Sequence, residues 1–291
     1  MAIAGRQVKA AGEKSVQWIL RTVAFSAMAS LLLIAVFILK EGAPFLLRVG
    51  PRNFLFFSLW DPQNGCFGVY PMVVASVWVT LGAMLVGAPF GIAGAIFLAE
   101  FVPAGVMRVI KPTIELLAGI PSVVYGFIGV MVVAPLVRDH LGGPGLSLLT
   151  ASVILGVMIL PTVISISTDA IMSVPNSYRE GALALGATRW QSVHMVILKG
   201  ARSGIMASLI LAMGRAIGET MAVIMVAGNT PRLPHSVLDP VRTLTANIAL
   251  EMGFATGLHR QALFATGVVL FVIIMILNAV ALSVMKRSHA E

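Results

Sequence analysis

The chain has 291 residues, of which 58% are hydrophobic and only 11% charged, and its mean hydropathy is +0.95. A soluble domain is roughly 45–50% apolar and about 25% charged, so this balance excludes a soluble fold, a disordered chain, a coiled coil and a disulfide-built secreted scaffold. The formal charge of +8 falls on 20 Lys and Arg spread through apolar sequence, which points to a membrane surface and not to nucleic acid. The single cysteine, Cys66, allows no intrachain disulfide and no cysteine metal cage.

A hydrocarbon core of about 30 Å takes about 20 apolar helical residues. Six runs of that kind lie at 22–39, 70–99, 116–137, 146–168, 203–229 and 262–285. They predict an all-α, polytopic protein of six transmembrane helices. The first run follows Arg6, Lys9, Lys14 and Arg21 and is followed by Lys40 and Glu41. It is longer than most signal-peptide cores and lacks a clear cleavage site, so it reads as an uncleaved anchor. Residues 1–21 then form an N-terminal segment, and 22–291 one membrane domain.

Residues 40–69 form a loop with Trp60, Asp61, Pro62, Asn64 and Gly65, in which Trp60 reads as an exposed headgroup anchor. The second run holds Pro71, Pro89, Gly91 and Gly94, which predict tilt or bending. Glu115 precedes the third run as an interfacial residue for Lys111 or Arg108 to pair with. Near that run's start, Pro121 frees backbone carbonyls, and Ser122 and Tyr125 offer hydroxyls; a kinked packing helix is the simpler reading. Residues 169–202 read as two short amphipathic helices. The first opens at Ser173, Pro175 and Asn176 and breaks at Gly186; Thr188 caps the second. The fifth run alone carries charges, Arg215 and Glu219, whose i,i+4 spacing predicts one helical face and mutual pairing. Residues 230–261 form another loop, with a short helix at 243–252 capped by Thr243 and stopped by Gly253.

With six spans both termini share a side. That side holds 12 basic residues against 7 on the other, with Arg215 inside the membrane, so both termini are predicted cytoplasmic. His140, His194, His235, His259 and His289 show no ligand spacing, and no metal site is predicted. The sequence lacks a Gly-x-x-x-x-Gly-Lys-Ser/Thr loop, a His-Glu-x-x-His motif and a Gly-x-Ser-x-Gly elbow, which argues against ATP hydrolysis, zinc proteolysis or serine hydrolysis on this chain.

On chemistry alone, 169–202 fits equally a hairpin lying on headgroups and a docking knob for a soluble partner. The string Glu180-Gly181-Ala182-Leu183-Ala184-Leu185-Gly186, followed by Val196 and Leu198, resembles the EAA coupling loop of ABC importer permeases, which implies that Ala187 and Thr188 belong to the coupling loop too. Gly181 stands where alanine is usual and Lys199 where proline is usual. The strings Gly214-Arg215-Ala216-Ile217-Gly218-Glu219-Thr220-Met221-Ala222-Val223 and Glu115–Gly126, together with Gly257-Leu258-His259, resemble the PstC-type permeases of phosphate importers. The resemblance runs from about Trp60 to Val284. It implies a type I ABC importer permease fold in the inner membrane. The implied partners are a homologous PstA-like permease, PstB-like ATPase subunits carrying Mg-ATP, and a periplasmic PstS-like binding protein. It implies no cofactor on this chain itself.

A charge at the bilayer centre costs about 2.5–3.5 kcal/mol on insertion scales unless it is paired or wetted. Arg215 and Glu219 therefore read either as an internal ion pair or as a polar station on a solute path, with Thr220 and Ser122 as further pathway residues. Guanidinium offers a planar donor fork that suits an oxyanion. Molybdate or sulfate as solute, a membrane enzyme, and a structural or signalling subunit are the alternatives.

Overall fold

In lipid every backbone N–H and C=O must be satisfied within the segment, so long apolar runs become helices. The computed structural model describes residues 2–287. Of the residues counted for sidedness, Arg6, Lys9, Lys14, Lys286 and Arg287 have side chains outside that description, and His289 lies outside it altogether. Helix α1 (Ala2–Val49) is followed by the short α2 (Pro51–Phe56) and by a small antiparallel hairpin, β1 (Trp60–Asp61) with β2 (Cys66–Phe67). Next come α3 (Tyr70–Phe101), α4 (Ala104–Ala118), α5 (Ser122–Ile128), a π-helical turn at Gly129–Val133, and α6 (Ala134–Leu141). Helix α7 (Leu148–Met172) leads into α8 (Asn176–Ala184), α9 (Arg189–Ser192), a second π-helical turn at Val193–Ile197, and α10 (Leu198–Gly200). The chain then forms α11 (Arg202–Ile217), α12 (Met221–Val226), α13 (Leu244–Glu251) and α14 (Gly257–Arg287).

Among the described residues five helical stretches are long and apolar enough to cross a bilayer, or six if the bent pair 189–200 and 202–217 is counted as one span. The all-α polytopic architecture is thus the one expected. Two spans differ from the expectation. The third begins at Ser122 and not at 116, because Glu115, Leu116 and Leu117 belong to the separate amphipathic helix α4. The fifth is not one helix: it bends by 69° on entering α11 and is interrupted again between Ile217 and Met221.

The centre of the molecule is the pair α3 and α7, closely packed because glycines remove side chains from the contact. A Cβ added at Gly87 would stand 2.7 Å from the Gly156 carbonyl oxygen and 2.5 Å from Ile159. Val79, Leu155, Met158, Ile159 and Val226 are buried around this seam. Helix α1 lies on α14, where a Cβ at Gly42 would meet the Phe264 and Ala265 backbone at 2.9 Å. Such contacts come from dispersion and close approach, the terms left to helix association in lipid.

Candidate transport pathway and coupling loop

Two helix ends come together where α4 and α11 stop. Helix α4 stops at Ala118 and α11 at Ile217, and the glycine after each, Gly119 and Gly218, adopts φ −85° and ψ −6°. In a continuous helix the Leu117 carbonyl would accept from residue 121, but Pro121 has no N–H. That carbonyl instead accepts from the Ile120 N–H at 3.2 Å and from Tyr125 Oη at 3.0 Å. The Ala118 carbonyl, one residue on, accepts from Arg215 Nη2 at 3.4 Å. Arg215 thus sits at the carbonyl end of α4, where the helix dipole favours a cation. Its Nη1 donates to Thr162 Oγ1 of α7 at 3.3 Å. Residue 215 lies 13 residues past the start of α11, in the helix's last turn, and about halfway along the apolar run 203–229.

The predicted Arg215–Glu219 pair does not form. No carboxylate lies within ion-pair distance of Arg215 among the described residues. The i,i+4 face requires a continuous helix, and this one ends at Ile217. Glu219 turns the other way: its Oε1 accepts from the Ala222 N–H at 3.1 Å, and its backbone carbonyl accepts from Thr245 Oγ1 at 2.9 Å. Thr220 Oγ1 donates to the Gly218 carbonyl at 3.3 Å, and Ser122 opens α5, half-buried. Arg215 lines a cleft of about 740 Å³ with Thr162, Gly214, Leu211 and Asn278. Ser122, Glu219 and Thr220 do not line it. The arginine's two contacts are long and to neutral oxygens, so its fork keeps donor capacity for an anion in that cleft.

The 169–202 loop folds as its sequence dictates. Thr188 and Gln191 form a reciprocal capping box, with Thr188 Oγ1 accepting from Gln191 N at 3.3 Å and Gln191 Oε1 accepting from Thr188 N at 2.8 Å. Gly186 joins α8 to α9 at φ +84°, a backbone region that only glycine enters without strain. Ala182 is buried, Ala187 and Leu198 are half-buried, and Glu180, Gly181, Gly186 and Thr188 are exposed. Gly181 is not demanded by packing, since an added Cβ there would meet nothing within 4 Å. Leu185 is 90% exposed, and Leu183, Tyr178 and Trp190 are exposed with it, an apolar surface of the kind that marks a protein contact. Lys199 is exposed, and the sharp change of direction into α11 falls at Ala201, immediately after α10.

Three charged groups outside the predicted site are paired. Glu100, buried at the end of α3, is gripped by Arg179 of α8, with Nη2 to Oε1 at 2.6 Å and Nε to Oε1 at 3.1 Å. The signal was available: Glu100 is the one charged residue in the apolar stretch 70–101. On the other face Glu251 accepts from Arg242 Nη1 at 2.5 Å and Trp60 Nε1 at 2.9 Å, and His259 Nε2 lies 2.8 Å from it. Trp60 is therefore only 6% exposed and not a headgroup anchor. His259, likewise, is part of a cluster and not an isolated loop residue. Lys111 pairs with Asp169 at the end of α7 and not with Glu115. Among the described residues no group of His, Cys, Asp and Glu is arranged to hold a metal ion.

Residues 87–289 match the family model for the inner membrane component of binding-protein-dependent transport systems. The chain is 43% identical over 277 residues to the probable ABC transporter permease protein YqgH of Bacillus subtilis, covering 93% of this chain and 90% of the relative. It is 37% identical to the phosphate transport system permease protein PstC of Mesorhizobium japonicum, covering 82% and 80%. It is 34% identical to PstC of Haemophilus influenzae, covering 93% of both. Its fold is similar to that of a bacterial alginate ABC transporter in complex with a pentasaccharide-bound periplasmic protein, at a TM-score of 0.60 and 17% identity, covering 92% and 95%. The inward-facing MetNI methionine ABC transporter gives a TM-score of 0.58 at 17% identity, covering 79% and 99%.

Proposed function

The chain belongs to the inner membrane components of binding-protein-dependent transport systems, in their PstC-type branch, and from that premise we propose that it is a permease subunit of an ATP-driven importer for inorganic phosphate. The observation that carries the reading is Arg215. It is a guanidinium about halfway along a broken span, in a cleft, with long contacts to neutral oxygens only. Transporters place solute sites near the midplane, where helices are discontinuous. Phosphate is an oxyanion, and a planar donor fork matches two of its oxygens at once.

Ser122, Glu219 and Thr220 border the two helix breaks and would act on the anion as it passes, Glu219 by repelling it and so helping release. Glu180, Gly181, Ala182, Gly186, Ala187, Thr188 and Leu198 form the coupling loop against a separate ATPase. ATP with magnesium belongs to that ATPase, so this chain is a transport subunit and not an enzyme. The partners are a PstA-like permease, a pair of PstB-like ATPase subunits and a PstS-like binding protein, in the inner membrane with both termini cytoplasmic. Closure of the ATPase pair would push the loop and open the cavity outward, and hydrolysis would reset it.

The test is ATP-dependent uptake in proteoliposomes holding the four components, with phosphate, molybdate or sulfate supplied through the binding protein. Phosphate alone should be taken up and should stimulate hydrolysis. Stimulation by another oxyanion would move the solute assignment. Complexes that assemble but move no solute would favour a structural or signalling subunit.

A further inference from the structure

Each arm of the coupling loop is tied to one buried residue at the end of α3. Arg179 stands in α8, and besides its grip on Glu100 it donates from Nη1 to the Val174 carbonyl at 2.9 Å and to Asn176 Oδ1 at 3.2 Å, and from Nη2 to the Ile171 carbonyl at 3.1 Å. Ile171 is in the last turn of α7 and Val174 just past it; the Ile171 carbonyl also accepts from the Val174 N–H at 3.3 Å, so Arg179 adds a second donor there. Arg189 of α9 donates to the Glu100 backbone carbonyl and lies over the Phe101 ring, 5.0 Å from its centre. Beneath these contacts Ala95, Ile171, Val174, Ile197 and Ala201 are packed and buried.

The Glu100 side chain is 7% exposed and that of Arg179 21%. A buried carboxylate is held in place only when its pairing and its hydrogen bonds are complete, and here they join three helices. The two helices gripped are the central pair, whose glycine-lined seam at Gly87 and Gly156 leaves little room for one to slide on the other. Helix α7 then carries Thr162, which accepts from Arg215. Thr162 lies nine residues before Ile171, about 14 Å along the helix.

We propose that Glu100 and Arg179 are positioning residues that clamp the coupling loop to the α3–α7 pair. A push on the loop then moves that pair, and Thr162 with it, instead of swinging the loop between Pro175 and Ala201. The clamp deepens the importer reading given above and rests on it for its use, though not for its existence.

The test uses the assembled importer with Glu100→Gln, Arg179→Met and Arg179→Lys. The expected result is retained co-purification of the ATPase and basal hydrolysis within about twofold of wild type. Stimulation by phosphate-loaded binding protein and uptake should fall by roughly tenfold in the first two variants and less in the lysine variant, the scale of coupling that packed networks carry. Unchanged uptake overturns the proposal, and so does loss of the ATPase from the complex, which would make the pair a docking element. A second measurement does not depend on the solute. Spin labels at Ala184→Cys and Leu85→Cys, with Cys66→Ser, should give one narrow distance in the parent and a broadened one with Glu100→Gln. Equal widths overturn the clamp. A parent complex that ignores phosphate would strike at the importer reading instead, with the label distances still deciding the clamp.

Discussion

At the C-terminal end of α3 the Glu100 carboxylate is held by Arg179, and elsewhere in the fold Glu251 is held by Arg242, Trp60 and His259. Where α11 breaks, Arg215 and Glu219 have the same chemistry available and do not use it: each turns to neutral partners. Removing a charge from water is costly, and the two ends offset that cost with complete pairing. The middle offsets it with helix-end carbonyls, a threonine and a cleft. A paired arginine is structural material. An arginine with long contacts to neutral oxygens keeps donor capacity unused. Among the described residues the two ends hold completed charge pairs and the centre holds none.

The largest effect that would break this comparison is at the centre. Arg215→Ala should leave assembly intact and lower phosphate uptake by roughly thirtyfold or more, corresponding to the about 2–5 kcal/mol lost when a charge-assisted contact is truncated. Uptake at the parent level, with normal amounts of complex, would remove the arginine from the pathway. At the outer end the ordering of effects reverses. Glu251→Ala leaves Arg242 without its carboxylate in a cluster where both side chains are at least four-fifths buried. The expected cost is about 3–5 kcal/mol of stability, read as a lowered unfolding temperature of the purified complex. A Glu251→Ala protein as stable as the parent would mean that the cluster is not structural.

A third, smaller effect sharpens the contrast. If Arg215 and Glu219 are separate, the stability changes of Arg215→Ala and Glu219→Ala should add, with a coupling below about 0.5 kcal/mol in a double-mutant cycle. A coupling well above that value would restore the ion pair that the i,i+4 spacing suggested. The spacing misleads here for a physical reason. It counts residues along a helix, and the helix stops at Ile217, so position 219 is rotated out of register.

The same reasoning explains what could be read from the sequence. The apolar runs that became α3, α7 and α14 were legible because lipid leaves a long apolar chain one choice. The caps at Thr188 and Thr243 were legible because capping is a local side-chain chemistry, and both thereonines accept from the backbone N–H three residues on. The break beside Pro121 was legible only as a kink, and the one at 218–220 was not, because a glycine and a charged residue are compatible with a continuous helix and the i,i+4 spacing of Arg215 and Glu219 argued for one. Arg215 itself was legible as a lone cation in an apolar run. The paired groups were not: Glu100 meets Arg179 across 79 residues and Trp60 meets Glu251 across 191. No periodicity reports such contacts. Trp60 on its own looks like an interfacial aromatic, and only the fold supplies its acceptor.

The smallest effect concerns a carboxylate with no arginine at all, in the outer loop before α13. Asp239 Oδ2 accepts from the backbone N–H of His235 at 2.8 Å and of Ser236 at 2.9 Å. These two bonds, the His235 one first, hold its carboxyl below the ordinary aspartate value of 3.8, against a small opposing effect of burial. A depressed folded value stabilises the loop above the unfolded value and loses that contribution as pH falls through the folded one. Between about pH 5 and pH 8 Asp239 is therefore ionised throughout, so its own titration gives the loop no response to pH there. Asp239→Asn keeps an acceptor oxygen but loses the charge, and charge-assisted bonds are roughly twice as strong as neutral ones. Amide exchange at His235 and Ser236, compared at one pH within that range, should be modestly faster in the variant than in the parent, with uptake unchanged. Exchange no faster in the variant would mean that the carboxylate is not held by these two amides. A carboxylate tied to its own loop carries no load between helices, and that separates it from Glu100 and Glu251.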